Sequence, residues 1–308
     1  MKRSLEGKAI VITGAGQGLG RSYALRAADL GACVVVNDLD KANAESVAQA
    51  IDSSGGRAIP VVGSVADWDV AEALIQQCVR SFGAIDGLVN NAALHHLELP
   101  WDETESQIRS LIEVNVMGTI YCGVHALRAM IGQRRGSIVN VSSSAQFGME
   151  LRATYGASKG AAASLTYGWA GEAMPYNVRV NALSPGANTP MMDASKKDEL
   201  RFSRVENQVL TIPGPDTVAP IVGYLLSDLA QGITGQHFRM AWNEISVVTH
   251  PADSPPHEQR ESWTEQEIAK AFDETLRAHL KPFAYGRDAY VWNPDAALAV
   301  KRTSAYSS

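Results

Sequence analysis

Ala9-Ile10-Val11-Ile12-Thr13-Gly14-Ala15-Gly16-Gln17-Gly18-Leu19-Gly20 is the stretch on which the fold turns. Four apolar, largely β-branched residues read as a buried strand. The glycines after them allow a sharp turn and a close approach of backbone to a pyrophosphate. The helix that the next residues open would aim its free N–H groups at that negative charge. A glycine-rich turn alone is weak evidence, but between a strand and a helix it reads as a dinucleotide-binding turn. Gly14, Gln17, Gly18, Leu19 and Gly20 are therefore expected to line a nucleotide site.

Outward from this unit the pattern repeats. Short apolar runs at 9–12, 33–36, 59–62, 87–89, 138–141 and 178–183 alternate with segments of helical length at 20–30, 41–53, 69–82, 105–131 and 155–174. A helix at 215–229 and a last apolar run at 236–240 follow. Such alternation predicts an α/β fold of the Rossmann type, a doubly wound parallel sheet of about seven strands with helices on both faces. Gly31 and Gly83 fall just past helix ends, where a left-handed residue is favoured.

The second strand runs into Val36-Asn37-Asp38-Leu39. A carboxylate there can accept both hydroxyls of a ribose but repels a 2′-phosphate. Neither Gln17 nor Leu39 offers a cation to neutralise that phosphate, so NAD is expected rather than NADP.

Composition narrows the remaining classes. The 308 residues are 45% hydrophobic, and with 27 Lys and Arg against 33 Asp and Glu the chain lacks the basic balance that nucleic-acid binding needs. The start shows no apolar segment of signal-peptide length, and no uncharged run approaches the roughly 20 apolar residues of a membrane span. A cytoplasmic protein is expected. Cys33, Cys78 and Cys122 lack CxxC spacing and read as reduced core residues, and no histidine has metal-ligand spacing, so no metal is expected.

Tyr155-Gly156-Ala157-Ser158-Lys159 places a phenol and an ammonium on one helix face. A phenol ionises near pH 10 and is a poor base at neutrality. A neighbouring cation, joined by the positive charge of an oxidised nicotinamide, is expected to lower that value and make Tyr155 a general base in oxidation and a general acid in reduction.

The turn, the acidic strand end and the YxxxK pair stand in the order and spacing of the short-chain dehydrogenase/reductase family, which the chain resembles from about Gly7 to Met240. Asn90-Asn91-Ala92-Ala93 resembles the family's NNAG, Asn115 its helix asparagine, and Pro185-Gly186 its PG after the sixth strand. The resemblance implies a catalytic tetrad of Asn115, a serine, Tyr155 and Lys159, with Asn115 holding a water and Lys159 also binding the nicotinamide ribose. Counting along the strand from Gly136 selects Ser143 as that serine, whereas counting back from Tyr155 selects Ser142. The strand register is preferred, because a one-residue slip reverses the face. The resemblance also adds Val65, Asn91, Pro185, Gly186 and Thr189 to the NAD contacts, with Asp67 beside Val65 in place of an aspartate where Ser64 stands. It implies a homo-oligomer, dimer or tetramer, joined through the helix that bears Tyr155.

Residues Phe147, Met149, Glu150, Met191 and Met192 fall where the family lines its substrate cleft, which suggests a fairly apolar secondary alcohol or ketone. His95 and His96 read as solvated loop residues, and 196–199 as the outer face of a lid helix. The segment 246–308 reads as a C-terminal extension. Its Thr264…Glu267 capping box, flanked by Trp263 and Ile268, opens an amphipathic helix whose stripe of Ile268, Phe272, Leu276 and Leu280 is expected to pack on the protein's own core or a sister subunit, with Pro282 ending it. Two alternatives stay open: a (3R)-hydroxyacyl-CoA dehydrogenase, suggested by 36–39 and 232–236, and a catalytically silent NAD-binding module.

Overall fold

The structure, a computed structural model, describes residues 3–189 and 213–280. Its sheet contains β1 (Ala9–Ile12), β2 (Cys33–Asp38), β3 (Arg57–Val62), β4 (Gly87–Asn90), β5 (Gly136–Val141), β6 (Val178–Gly186), β7 (His237–Ala241) and β8 (Glu244–Val248). The strand order is β3-β2-β1-β4-β5-β6-β7-β8, parallel except for the antiparallel β7–β8 pair. Eight strands thus replace the expected seven, the addition being an edge hairpin. Its turn, Trp242-Asn243, has φ of 48° and 62°. That is the left-handed pair a tight hairpin requires, and the Asn satisfies it more easily than the Trp.

Alternation along each strand divides the core between two faces. Ile10, Ile12, Val34 and Val36 pack under α1 (Gly18–Asp29), α2 (Lys41–Ser53) and α7 (Ala219–Leu226). Val11, Val35, Leu88 and Ile138 pack under α3 (Trp68–Phe82), α5 (Gly118–Gln133) and α6 (Ala153–Ala173). The expected helix 105–131 is α4 (Glu105–Ile112) joined to α5 through a π-helical turn at Glu113–Met117. Among the described residues this run, 105–133, is the one long and apolar enough to cross a membrane, but Cys122, Ala126 and Met130 on it are buried against the sheet. The expected helix 215–229 shortens to α7 between two 3-10 turns.

From β1 the chain winds to β2 and β3 on one side, then crosses to β4 and proceeds the other way. A crevice opens where the order reverses, between the carboxyl ends of β1 and β4, and ligands of such sheets bind there. Thr13, Asp38, Asn91, Ser142 and Ser143 all lie at or just past carboxyl ends of strands.

The chain divides into two units, Met1–Thr249 and His250–Ser308. In the second, α8 (Glu265–Glu274) opens with the expected capping box: the Thr264 hydroxyl accepts from Glu267 N–H, and the Glu267 carboxylate accepts from Thr264 N–H. The helix ends sooner than its apolar repeat, giving way to a 3-10 turn at Leu276–His279. Along its apolar stripe, in the single chain, Ile268 and Leu280 are exposed and Phe272 and Leu276 half-buried.

Candidate active site

The glycine turn is built for close approach. Gly14 has φ of 60°, and a Cβ there would sit 2.8 Å from Ala92 Cα. A Cβ on Gly20 would fall on the Gly14 carbonyl oxygen, and one on Gly16 would lie 2.7 Å from Asp38 Oδ2. Asn91 locks the turn, its amide donating to the carbonyls of Thr13 (2.9 Å) and Gly14 (3.0 Å). Both amide protons are thereby used in bracing the turn, and the amide oxygen keeps its acceptor capacity. Gln17 caps α1 without a side-chain hydrogen bond, whereas Asp40 and Asp67 cap α2 and α3 with theirs. The first N–H groups of α1 are therefore left for an outside anion, with Gly18 half-buried, Leu19 packed on the core and Gln17 exposed.

Asp38 stands beside this turn. Oδ2 accepts from Gly16 N–H at 2.8 Å and Oδ1 from Asp40 N–H at 3.0 Å, which fixes the carboxylate while each oxygen keeps a lone pair. Leu39 is 73% exposed, and no cation faces the carboxylate among the hydrogen bonds and ion pairs of the described residues. Val65 is buried and packs close to Gly118. Asp67 uses one oxygen to cap α3, and the Ser64 hydroxyl accepts from Ala66 N–H. Pro185 and Gly186 continue β6, pairing with Met240 and Ala241, instead of leaving the strand as expected; Thr189 follows, half-buried. A cradle that a Cβ would fill, an uncapped helix start and an oriented carboxylate fit a dinucleotide.

Farther along the same edge, α6 brings the second group of residues together. It is held to the sheet by a buried chain in which Asn90 donates to Asn140 and Asn140 to Thr166, each at 2.9 Å. Ser142 and Ser143 have different duties: the Ser142 hydroxyl donates to the Lys159 carbonyl at 2.8 Å, whereas Ser143 shares a hydrogen bond with Tyr155. Lys159 is buried, its Nζ 2.8 Å from the Val141 carbonyl oxygen and 5.8 Å from the centre of the Tyr155 ring. Burial pushes its ammonium down to about 8. Asn115, buried in the π turn, accepts from Leu94 N–H at 2.7 Å and donates to the Leu94 carbonyl and the Ser158 hydroxyl. It anchors the loop after β4 to α6.

In the protein without cofactor, burial raises the Tyr155 phenol above its ordinary value, with the Ser143 hydrogen bond and the Arg152 charge pulling the other way.

The histidines, expected to be solvated loop residues, correct that expectation. His95 sets its ring edge-on to Tyr155, centroids 4.5 Å apart, and burial, aided by the charges of Arg152, His96 and Lys159, lowers it to about 4. His96 Nε2 lies 2.7 Å from Oε1 of Glu103, whose other oxygen accepts from Thr154 Oγ1 at 2.5 Å. No motif in the sequence marks Glu103, because the contact that gives it its place, with Thr154, joins segments 51 residues apart. Of the cleft residues, Phe147 and Glu150 are exposed and Met149 half-buried; Met191, Met192 and 196–199 lie outside the described residues. Cys33, Cys78 and Cys122 are free thiols, and burial pushes Cys78 and Cys122 up to about 12.

A helix-borne Tyr and Lys facing a serine, all on the carboxyl edge of a doubly wound sheet beside a glycine turn, define an oxidoreductase site. The short chain dehydrogenase family matches residues 8–200, and the chain belongs to it. It is 36% identical over 236 residues to the 3-oxoacyl-(acyl-carrier-protein) reductase FabG of Thermotoga maritima, covering 75% of this chain and 95% of that protein. It is 35% identical over 228 residues to the cis-4-hydroxycyclohexanecarboxylate dehydrogenase of Sinomonas cyclohexanicum, covering 73% of this chain and 91% of that one. The crystal structure of a short chain dehydrogenase from Mycobacterium avium superposes with a TM-score of 0.80 at 31% identity, covering 91% of this chain and 98% of that one.

Proposed function

We propose that the chain is an NAD(H)-dependent oxidoreductase that interconverts a fairly apolar secondary alcohol and its ketone, with Tyr155 as the acid-base group. The observation that carries this reading is the convergence of Ser143, Tyr155 and Lys159 at the carboxyl edge of the sheet, beside a turn braced for a pyrophosphate. Gly14, Gly18, Leu19 and Gly20 would hold the pyrophosphate and Asp38 the adenosine ribose. Lys159 would hold the nicotinamide ribose, flanked by Val65, Pro185, Gly186 and Thr189. When bound, NAD supplies the hydride acceptor of oxidation and NADH the donor of reduction.

The protein's own contribution is the proton and the oxygen. Tyr155 Oη takes the hydroxyl proton in oxidation and returns it in reduction, while the Ser143 hydroxyl donates to the same substrate oxygen. Lys159 sets its charge beside the phenol and favours the ionised form against the cost of burial. A homo-oligomer in the cytoplasm completes the reading. Similarity to a 3-oxoacyl reductase favours a hydroxyacyl thioester as the second reading of the substrate.

A panel of secondary alcohols, cyclic hydroxy acids and hydroxyacyl thioesters, followed by reduced-nicotinamide absorbance, tests the proposal. Turnover with NAD on at least one class is the expected result. No turnover on any class, with NAD or NADP, would contradict it.

A further inference from the structure

We propose that Glu103 is a positioning residue for Tyr155, its buried carboxylate tying the loop after β4 to the first turn of α6. The proposal rests on the reading that Tyr155 moves the proton. The Glu103 side chain is only 6% exposed, and a buried carboxylate is costly unless both oxygens are satisfied. Both are: one meets His96 at 2.7 Å and the other accepts from Thr154 at 2.5 Å. Thr154 immediately precedes Tyr155.

The tie answers a weakness in α6. The helix begins after Arg152, which provides no side-chain cap, so its first turn, the turn carrying Tyr155, lacks the usual restraint. Glu103 supplies one from outside the helix, and a negative charge at a helix start is favoured by the helix dipole. A second bond joins the same segments, from Glu98 N–H to the Leu151 carbonyl at 3.1 Å. The loop so fixed carries His95, whose ring rests edge-on against Tyr155, while Asn115 pins its root at Leu94. Tyr155 is thereby held between His95 and Ser143, with Arg152 and Lys159 as the charged groups facing it.

Carbon-13 NMR of protein labelled at tyrosine Cζ, without substrate or cofactor, tests this; the Tyr155 signal is assigned by its loss in Tyr155→Phe. In the unaltered protein Tyr155 should ionise above the ordinary phenol value. In Glu103→Ala and in Thr154→Val the loosened turn admits water, and the midpoint should fall back by on the order of one pH unit. The double variant should fall no further than either single one, because both act through one contact. Glu103→Gln, whose amide can keep both contacts, should retain the original midpoint. Unchanged midpoints in Glu103→Ala and Thr154→Val would overturn the proposal, and so would an equal shift in Glu103→Gln, which would assign the effect to charge. Should Glu103→Ala fail to fold, Thr154→Val, a hydroxyl exchanged for a methyl, carries the test. The titration needs no turnover, so its failure is separate from failure of the Tyr155 assignment, which turnover of Tyr155→Phe reads.

Discussion

Asp38 is held by two backbone N–H groups before any ligand arrives, so its orientation carries no cost at binding. A 2′-phosphate would bring like charge to within a few ångströms, where two unit charges at an effective dielectric of 20 interact by about 4 kcal/mol. NAD should therefore bind on the order of 10²–10³-fold more tightly than NADP, and Asp38→Ala should narrow the gap to about tenfold or less. Calorimetric titration with both cofactors measures this, and equal affinities in the unaltered protein would remove Asp38 from the account. Asp38, Tyr155 and Lys159 were legible in the sequence because each sits at a fixed offset from a strand end or within one helix. The choice between Ser142 and Ser143 could only be argued there, since it depends on which hydroxyl the Lys159 carbonyl captures. His95, His96 and Glu103 were not legible. His95 meets Tyr155 and Glu103 meets Thr154, both distant in sequence, while His96 meets Glu103 seven residues on, and nothing in the spacing of a loop announces such contacts.

Among the elements, those with a strong period were readable and those set by a turn were not. The strands β1 to β7 were foreseen to within a few residues: β1, β2, β4, β5 and β6 are largely buried and read as continuous apolar runs, and β3 and β7, though more exposed, keep short apolar runs of their own. β8 was missed because an edge strand alternates more weakly, leaving Ile245 and Val247 exposed. The π turn at Glu113–Met117 was missed as well, since one added residue in a helical turn leaves the apolar pattern nearly intact. Its place under Asn115 fits the habit of such turns to occur at functional sites. The turn from β1 into α1 makes a sharper prediction. Gly20→Ala puts a methyl on the Gly14 carbonyl and against Asn91, so the brace must shift. A loss of about 1–3 kcal/mol in stability is expected. Thermal unfolding should show it as a drop of several degrees together with weakened NAD binding; unchanged melting and binding would mean the turn is not the tight cradle described.

At the scale of the molecule, the first unit, Met1–Thr249, contains every residue proposed for cofactor and catalysis. In the second, His250–Ser308, the helix is shorter than its apolar repeat, because that repeat continues past the point where the backbone leaves the α conformation at Thr275. The central claim concerns the first unit alone: binding and proton transfer are separate tasks assigned to separate residues. Tyr155→Phe removes one hydroxyl and leaves a ring that can still pack against His95. Measured side by side, NAD affinity by calorimetry and turnover of the alcohol that the substrate panel returns should part company. The account predicts affinity within about threefold of the unaltered protein and turnover lower by on the order of 10²–10⁴-fold, the usual worth of general acid-base transfer. Near-normal turnover in Tyr155→Phe would contradict it.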